Sequence, residues 1–153
     1  MKPLLIGQAP SRTSDPARPW SGRAGRILAE LAGVSHEHFL RLVEPVNLLR
    51  CWPGAATKGD SFPMAKARAR ARAVELKGRR ALLAGRKVAA AFGLPRSDLA
   101  EWMWWYPLRG GFVTVIPHPS GVNLWYNDPV NCACLAAFLR ALLRTGRRKG
   151  SPC

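Results

Sequence analysis

Acidic residues are scarce in this chain. Nine Asp and Glu stand against 24 Lys and Arg, a formal net charge of +15 over 153 residues. Such an excess favours a polyanionic partner, nucleic acid above all, because each phosphate neutralised releases condensed counterions. Long hydrophobic runs are missing as well. No apolar stretch approaches the roughly 18 residues of a membrane span, so no membrane partner is expected. The first strand-like run begins by Pro3, which leaves no room for a secretory leader, and a cytoplasmic protein is expected. Cysteine is sparse: Cys51, Cys132, Cys134 and Cys153 form no Cys-x-x-Cys pair and have no histidine at a metal-ligand interval. Free thiols are expected, with no metal site. Neither Gly-x-x-x-x-Gly-Lys nor Gly-x-Gly-x-x-Gly occurs, which removes the common phosphate loops. There is no internal repeat. The length suits one domain with a real core, taken as residues 1–144, followed by a basic, disordered tail at 145–153.

Strand-like apolar segments do recur, at 3–6, 45–49, 80–84 and 112–117. Helical patterns lie between them at 22–33, 63–77, 86–93 and 96–104, and a last helix is expected over 129–144. Alternation of this kind implies parallel strands buried on both faces. The expected fold is α/β, a three-layer α/β/α sandwich around a central, mainly parallel four-stranded sheet.

The segment Lys66 to Ala73 alternates basic and Ala residues with period two, yet holds nothing β-branched. Ala and Arg are strong helix formers, so a helix is expected. Arg68 and Arg72 then share one face, either as a solvated surface or as a phosphate-binding one. The aromatic run Trp102-Met103-Trp104-Trp105-Tyr106 could stack on bases, but core packing of a helix-to-strand connection is the commoner use.

Two turn-rich motifs follow buried strands about a hundred residues apart: Gly7-Gln8-Ala9-Pro10-Ser11 and His118-Pro119-Ser120-Gly121. In an open α/β sheet, ligands bind outside the carboxyl ends of strands, so both motifs point at one cleft.

Four ordered segments resemble the uracil-DNA glycosylase superfamily, with families 4 and 5 the nearest branches. Gly7 to Ser11 looks like motif 1, and Pro19-Trp20-Ser21-Gly22-Arg23-Ala24-Gly25 looks like the Pro-Phe-x-Gly-x-Ala-Gly stretch. Val46-Asn47-Leu48-Leu49-Arg50-Cys51-Trp52-Pro53 is similar to the second-strand segment, and His118-Pro119-Ser120 to motif 2. The resemblance implies a monofunctional DNA glycosylase, likewise without a Schiff-base lysine in its motifs, acting on a base flipped out of DNA. Trp20 would stack on that base and the Asn47 amide would read its edge. His118, as a neutral imidazole, would donate to the departing base, with the backbone around Gly7 and Ala9 assisting. Ser11 and Ser120 would hold phosphates. Val122 or Leu124, in the loop that also carries Asn123, would fill the gap in the duplex. A monomer is expected.

The chain departs from those families in places. Motif 1 carries no acid, because Gln8 and Ala9 occupy the positions where other branches have Glu or Asp. Gln8 can orient a water but cannot take its proton; Asp15, in the same loop, is an alternative water ligand or simply a turn cap. Families 4 and 5 usually hold an iron–sulfur cluster on four cysteines. Cys51 alone matches a ligand position, and no cluster or other cofactor is expected. These departures leave open a catalytically silent DNA-binding module as the alternative to an enzyme. They also leave open which uracil-like, deaminated or modified base is taken.

Overall fold

In the computed structural model, which describes residues 1–95 and 102–145, the apolar runs become strands of one sheet. Strands β1 (Leu4–Gly7), β2 (Glu44–Asn47), β3 (Arg80–Ala84) and β5 (Gly111–Ile116) are parallel, and β4 (Trp105–Leu108) lies antiparallel to β5 at one edge. The order is β2-β1-β3-β5-β4. The register pairs Ile6 with Val46 on one side and with Leu83 on the other, and Leu83 with Val115.

Side chains alternate across this sheet into two cores. Leu4, Ile6, Leu83, Val113 and Val115 pack with Ala67 and Ala71 of α3 (Met64–Ala73) and with Val88 and Ala89 of α4 (Arg86–Ala91). Leu5, Leu82, Ala84 and Ile116 pack on the opposite face. There they meet α1 (Arg23–Ala32), α2 (His36–Leu42) and α5 (Pro129–Thr145) through Leu28, Phe39 and Leu139. Burial on both faces is why these strands read as unbroken apolar runs rather than alternating ones. The fold is thus the expected three-layer α/β/α sandwich.

The sheet has five strands rather than four. The added strand, at 105–108, lies where only a helix-to-strand connection was expected; it holds Pro107, which an edge strand tolerates and a central one cannot. Trp105 there packs on Phe138 of α5 with ring centroids 5.8 Å apart, so this part of the aromatic run serves the core. Trp102 and Met103 form a turn, and the remainder of the helix expected at 96–104, residues 96–101, lies outside the described residues. The period-two segment is helical, because Ala67 and Ala71 are buried four residues apart while its cations face away; it ends at Ala73, short of 77. Helix α2 was not expected; Ser35 caps it by accepting from the His38 N–H at 3.3 Å. The basic tail beyond Thr145 lies outside the described residues.

From β1 the chain moves to β2 on one side, and later to β3 and β5 on the other. The order reverses between β1 and β3. A crevice opens outside the carboxyl ends of strands at such a reversal.

Candidate active site

That crevice is a cleft of about 330 Å³ floored by Gly7 to Ser11 and walled by Trp20, Asn47 and His118 to Gly121. Both motifs singled out in the sequence therefore meet in it.

Gly7 is the crossing point. A Cβ there would lie 2.6 Å from Asn47 Oδ1 and 2.8 Å from Trp20 Cζ2, so only glycine lets both side chains pack on the end of β1. Trp20 is 8% exposed, and its indole N–H donates to the Val46 carbonyl at 3.3 Å. Its backbone is left-handed, with φ 65°, a costly conformation for a bulky residue. This turns the Trp20 carbonyl onto α1, where a Cβ at Gly25 would stand 2.0 Å away, and His36 Nε2 donates to that carbonyl at 2.9 Å. The last glycine of Pro-Trp-x-Gly-x-Ala-Gly, Gly25, is thus a packing requirement for the tryptophan. The Asn47 side-chain amide makes no hydrogen bond among the described residues and lies free in the cleft. The Gln8 amide and the backbone N–H groups of Gln8 and Ala9 are likewise without partners among the described residues.

His118 rises from the end of β5 over the turn after β3. A Cβ at Gly85, where φ is 94°, would come within 3.1 Å of the histidine Cβ. Burial lowers the His118 pKa below its ordinary 6.5, and the nearby Lys87 ammonium lowers it further. At neutral pH it is an uncharged imidazole with one N–H to donate. Its backbone is braced from behind. Asn123 Nδ2 donates to the His118 carbonyl at 2.9 Å while Asn123 Oδ1 accepts from the Trp125 N–H at 3.1 Å. Tyr126, whose phenol is kept protonated by burial and then by Cys132, donates to the Pro117 carbonyl at 2.7 Å.

The other expected contacts divide. Ser11 and Ser120 border the cleft, Ser11 sharing a hydrogen bond with Ser14. Val122 and Leu124 are 88% and 77% exposed on the braced loop, which continues from Gly121 of the cleft wall. Asn123 lies between them, but both ends of its amide are committed within the loop, so it shapes the rim rather than reaching outward. Arg68 and Arg72 do not join the cleft. They flank a separate depression beside Phe92 and Arg109, where the Arg109 guanidinium caps the end of α3 through the Ala71 and Arg72 carbonyls. Asp15 accepts from the Ala17 N–H at 2.9 Å and caps its own turn.

Three participants were missed in the sequence. Arg23 stands at the cleft wall with its guanidinium 2.9 Å from where a Gly121 Cβ would be. Asp60 enters from the loop after β2, and Lys87 acts on His118 from α4. A glycine at a strand end, such as Gly85, was the one local signal that a side chain passes close above it.

The profile of the Uracil DNA glycosylase superfamily matches residues 1–143. The chain belongs to that superfamily. Membership carries a DNA glycosylase-like function, since superfamily enzymes are in general hydrolases that act on DNA. No curated protein matches the chain. An iron–sulfur cluster of the kind found in some superfamily branches does not fit the residues present. Cys51 is exposed after β2, Cys132 and Cys134 sit on α5, and no cluster of three or more metal-ligating side chains occurs among the described residues. Among the described residues, too, no helix is long and apolar enough to cross a membrane.

Proposed function

We propose that this protein is a monofunctional DNA glycosylase that hydrolyses the N-glycosidic bond of uracil, or of a modified or deaminated base, and leaves an abasic site. The observation that carries the reading is a neutral histidine and an unpartnered asparagine amide facing one cleft beside a tryptophan.

A base in a duplex must leave the stack before its glycosidic bond can be reached. In the cleft it would stack on Trp20. The Asn47 amide offers a donor and an acceptor together, which suits the N3–H and O4 edge of uracil. Bond cleavage puts positive charge on the sugar and negative charge on the base. His118 would donate its N–H to O2 of the base, and the free N–H groups of Gln8 and Ala9 would assist; such preorganised donors are usually the largest catalytic contribution. Because His118 is neutral, it stabilises the anion by hydrogen bonding without giving up a proton. Gln8 can orient the attacking water. Ser11 and Ser120 would hold flanking phosphates, and Val122 or Leu124 would occupy the vacated stack. A monomer acting in the cytoplasm completes the reading.

The absence of an acid at Gln8 and Ala9 favours a second reading, a silent DNA-binding module that senses an altered base. An abasic-site assay separates the two. Oligonucleotides carrying uracil, 5-hydroxymethyluracil, hypoxanthine, xanthine or hydroxymethylated cytosine are tested in single and double strands. Base release that collapses in His118→Ala supports the glycosylase. Tight, salt-dependent binding without release supports the module.

A further inference from the structure

Motif 1 brings no carboxylate, yet the cleft contains one that no motif announced. We propose that Asp60 is the catalytic carboxylate of this site, the group that orients the attacking water and accepts its proton. The inference rests on the glycosylase reading and adds the base that motif 1 lacks.

Asp60 lies far from motif 1 in sequence, and the segment after β2 folds back to deliver it. Ala55 and Asp60 form an antiparallel bridge, closed by Ala56 N–H to Gly59 O and Ser61 N–H to Gly54 O, both at 2.8 Å. Gly54 and Gly59 supply the left-handed turns this needs, with φ 95° and 75°. The carboxylate itself is held. The Trp52 indole N–H donates to Asp60 Oδ1 at 3.0 Å, and the Arg12 guanidinium covers the Trp52 ring at 5.8 Å. One oxygen is fixed, and Oδ2 remains for a water. From the other side, Lys87 Nζ donates to the Asp60 carbonyl at 3.4 Å. The charge of that same ammonium reaches His118, so Lys87 stands between the Asp60 segment and the histidine, and both of these line the cleft.

Asp15 is the other acid lining the cleft among the described residues. It is occupied in closing its own turn, with Ala17 N–H on its Oδ1 and Arg18 N–H on its carbonyl. Asp60 is instead oriented by a side chain eight residues away, which fixes a carboxylate without being needed to close the loop.

The step balances without a further reactant. The water oxygen forms a bond to C1′ of the sugar as the bond from C1′ to the base nitrogen breaks. The bonding electrons leave on the base, whose developing negative charge is stabilised by hydrogen bonds from the His118 N–H and the motif 1 N–H groups. The water proton passes to Asp60.

The test is Asp60→Asn, which keeps an oxygen for Trp52 and removes only the basic group. On the full chain with a uracil-bearing oligonucleotide, single-turnover release should fall about 10²–10⁴-fold, the usual range for a general base. Affinity for the same oligonucleotide and the melting temperature should stay within error. Asp60→Ala should lose a similar factor and regain part of it with added formate, which a merely structural carboxylate would not allow. Wild-type release with Asp60→Asn within threefold of it overturns the assignment and leaves the glycosylase reading standing. No release by the wild-type protein from any base overturns both.

Discussion

Replacing Gly7 by alanine puts a methyl group at the crossing point of the site. On the native backbone that methyl falls 2.6 Å from Asn47 Oδ1 and 2.8 Å from Trp20 Cζ2. Both are well inside the roughly 3.5 Å at which such atoms rest. Trp20 cannot give way cheaply, since it is almost fully buried and its indole N–H is tied to Val46 O. The Asn47 amide, without a protein partner, moves first. Overpacking of this kind costs about 1–3 kcal/mol. For a chain of this size each kcal/mol lowers the melting temperature by about 2–4 °C. Misplacing a recognition group by about 1 Å costs on the order of 10²-fold in rate, so activity should suffer more than stability. Thermal melts and single-turnover base release on Gly7→Ala, Asn47→Ala and the double variant make the test. The two single variants should lose comparable activity and the double variant little more, because both act through one amide. Wild-type melting and release in Gly7→Ala would refute the claim that glycine is what lets Trp20 and Asn47 share this position.

Other expectations follow from the same geometry. His118 has a lowered pKa in the folded state, so the unfolded chain binds a proton first as pH falls; stability from this group is complete above the ordinary 6.5 and declines below it. Lys87→Met removes one cause of that lowering, so the low-pH loss of base release should begin at higher pH, read from a rate–pH profile. His36→Ala strips the partner from the Trp20 carbonyl and should cost about 1–3 kcal/mol by denaturant unfolding, with release falling alongside. Val122→Ala combined with Leu124→Ala should slow release from double strands while sparing single strands, because a wedge matters only where a stack must be held open.

Much of the scaffold was legible in the sequence for a physical reason. Strands buried on both faces, such as Leu82-Leu83-Ala84, must be apolar throughout, and they stand out between helices. Strand β4 was not legible, because an edge strand can hold Pro107 and its aromatics are shared with α5. Helix α2 is too short for its periodicity to show, and only its Ser35 cap marked it. In the site, the residues on strand ends were readable. Asn47, His118 and the Gly7 turn each follow an apolar run and so fall at the carboxyl edge. Asp60 was not, since it is oriented by Trp52 and Lys87 through contacts that no local pattern records. For Arg68 and Arg72 the charge was evident in the sequence but the place was not: α3 carries them to a depression away from the cleft.

Whether a neutral His118 and the free Asn47 amide act on an extruded base is decided by abasic-site formation by the wild-type protein, His118→Ala and Asn47→Ala across the panel of altered bases. The wild type should release at least one base, and His118→Ala should lose about 10²–10³-fold, typical of removing one donor to a developing anion. Asn47→Ala should lose discrimination between bases as well as rate. Release that survives both substitutions, or no release from any oligonucleotide, would contradict such action on the base.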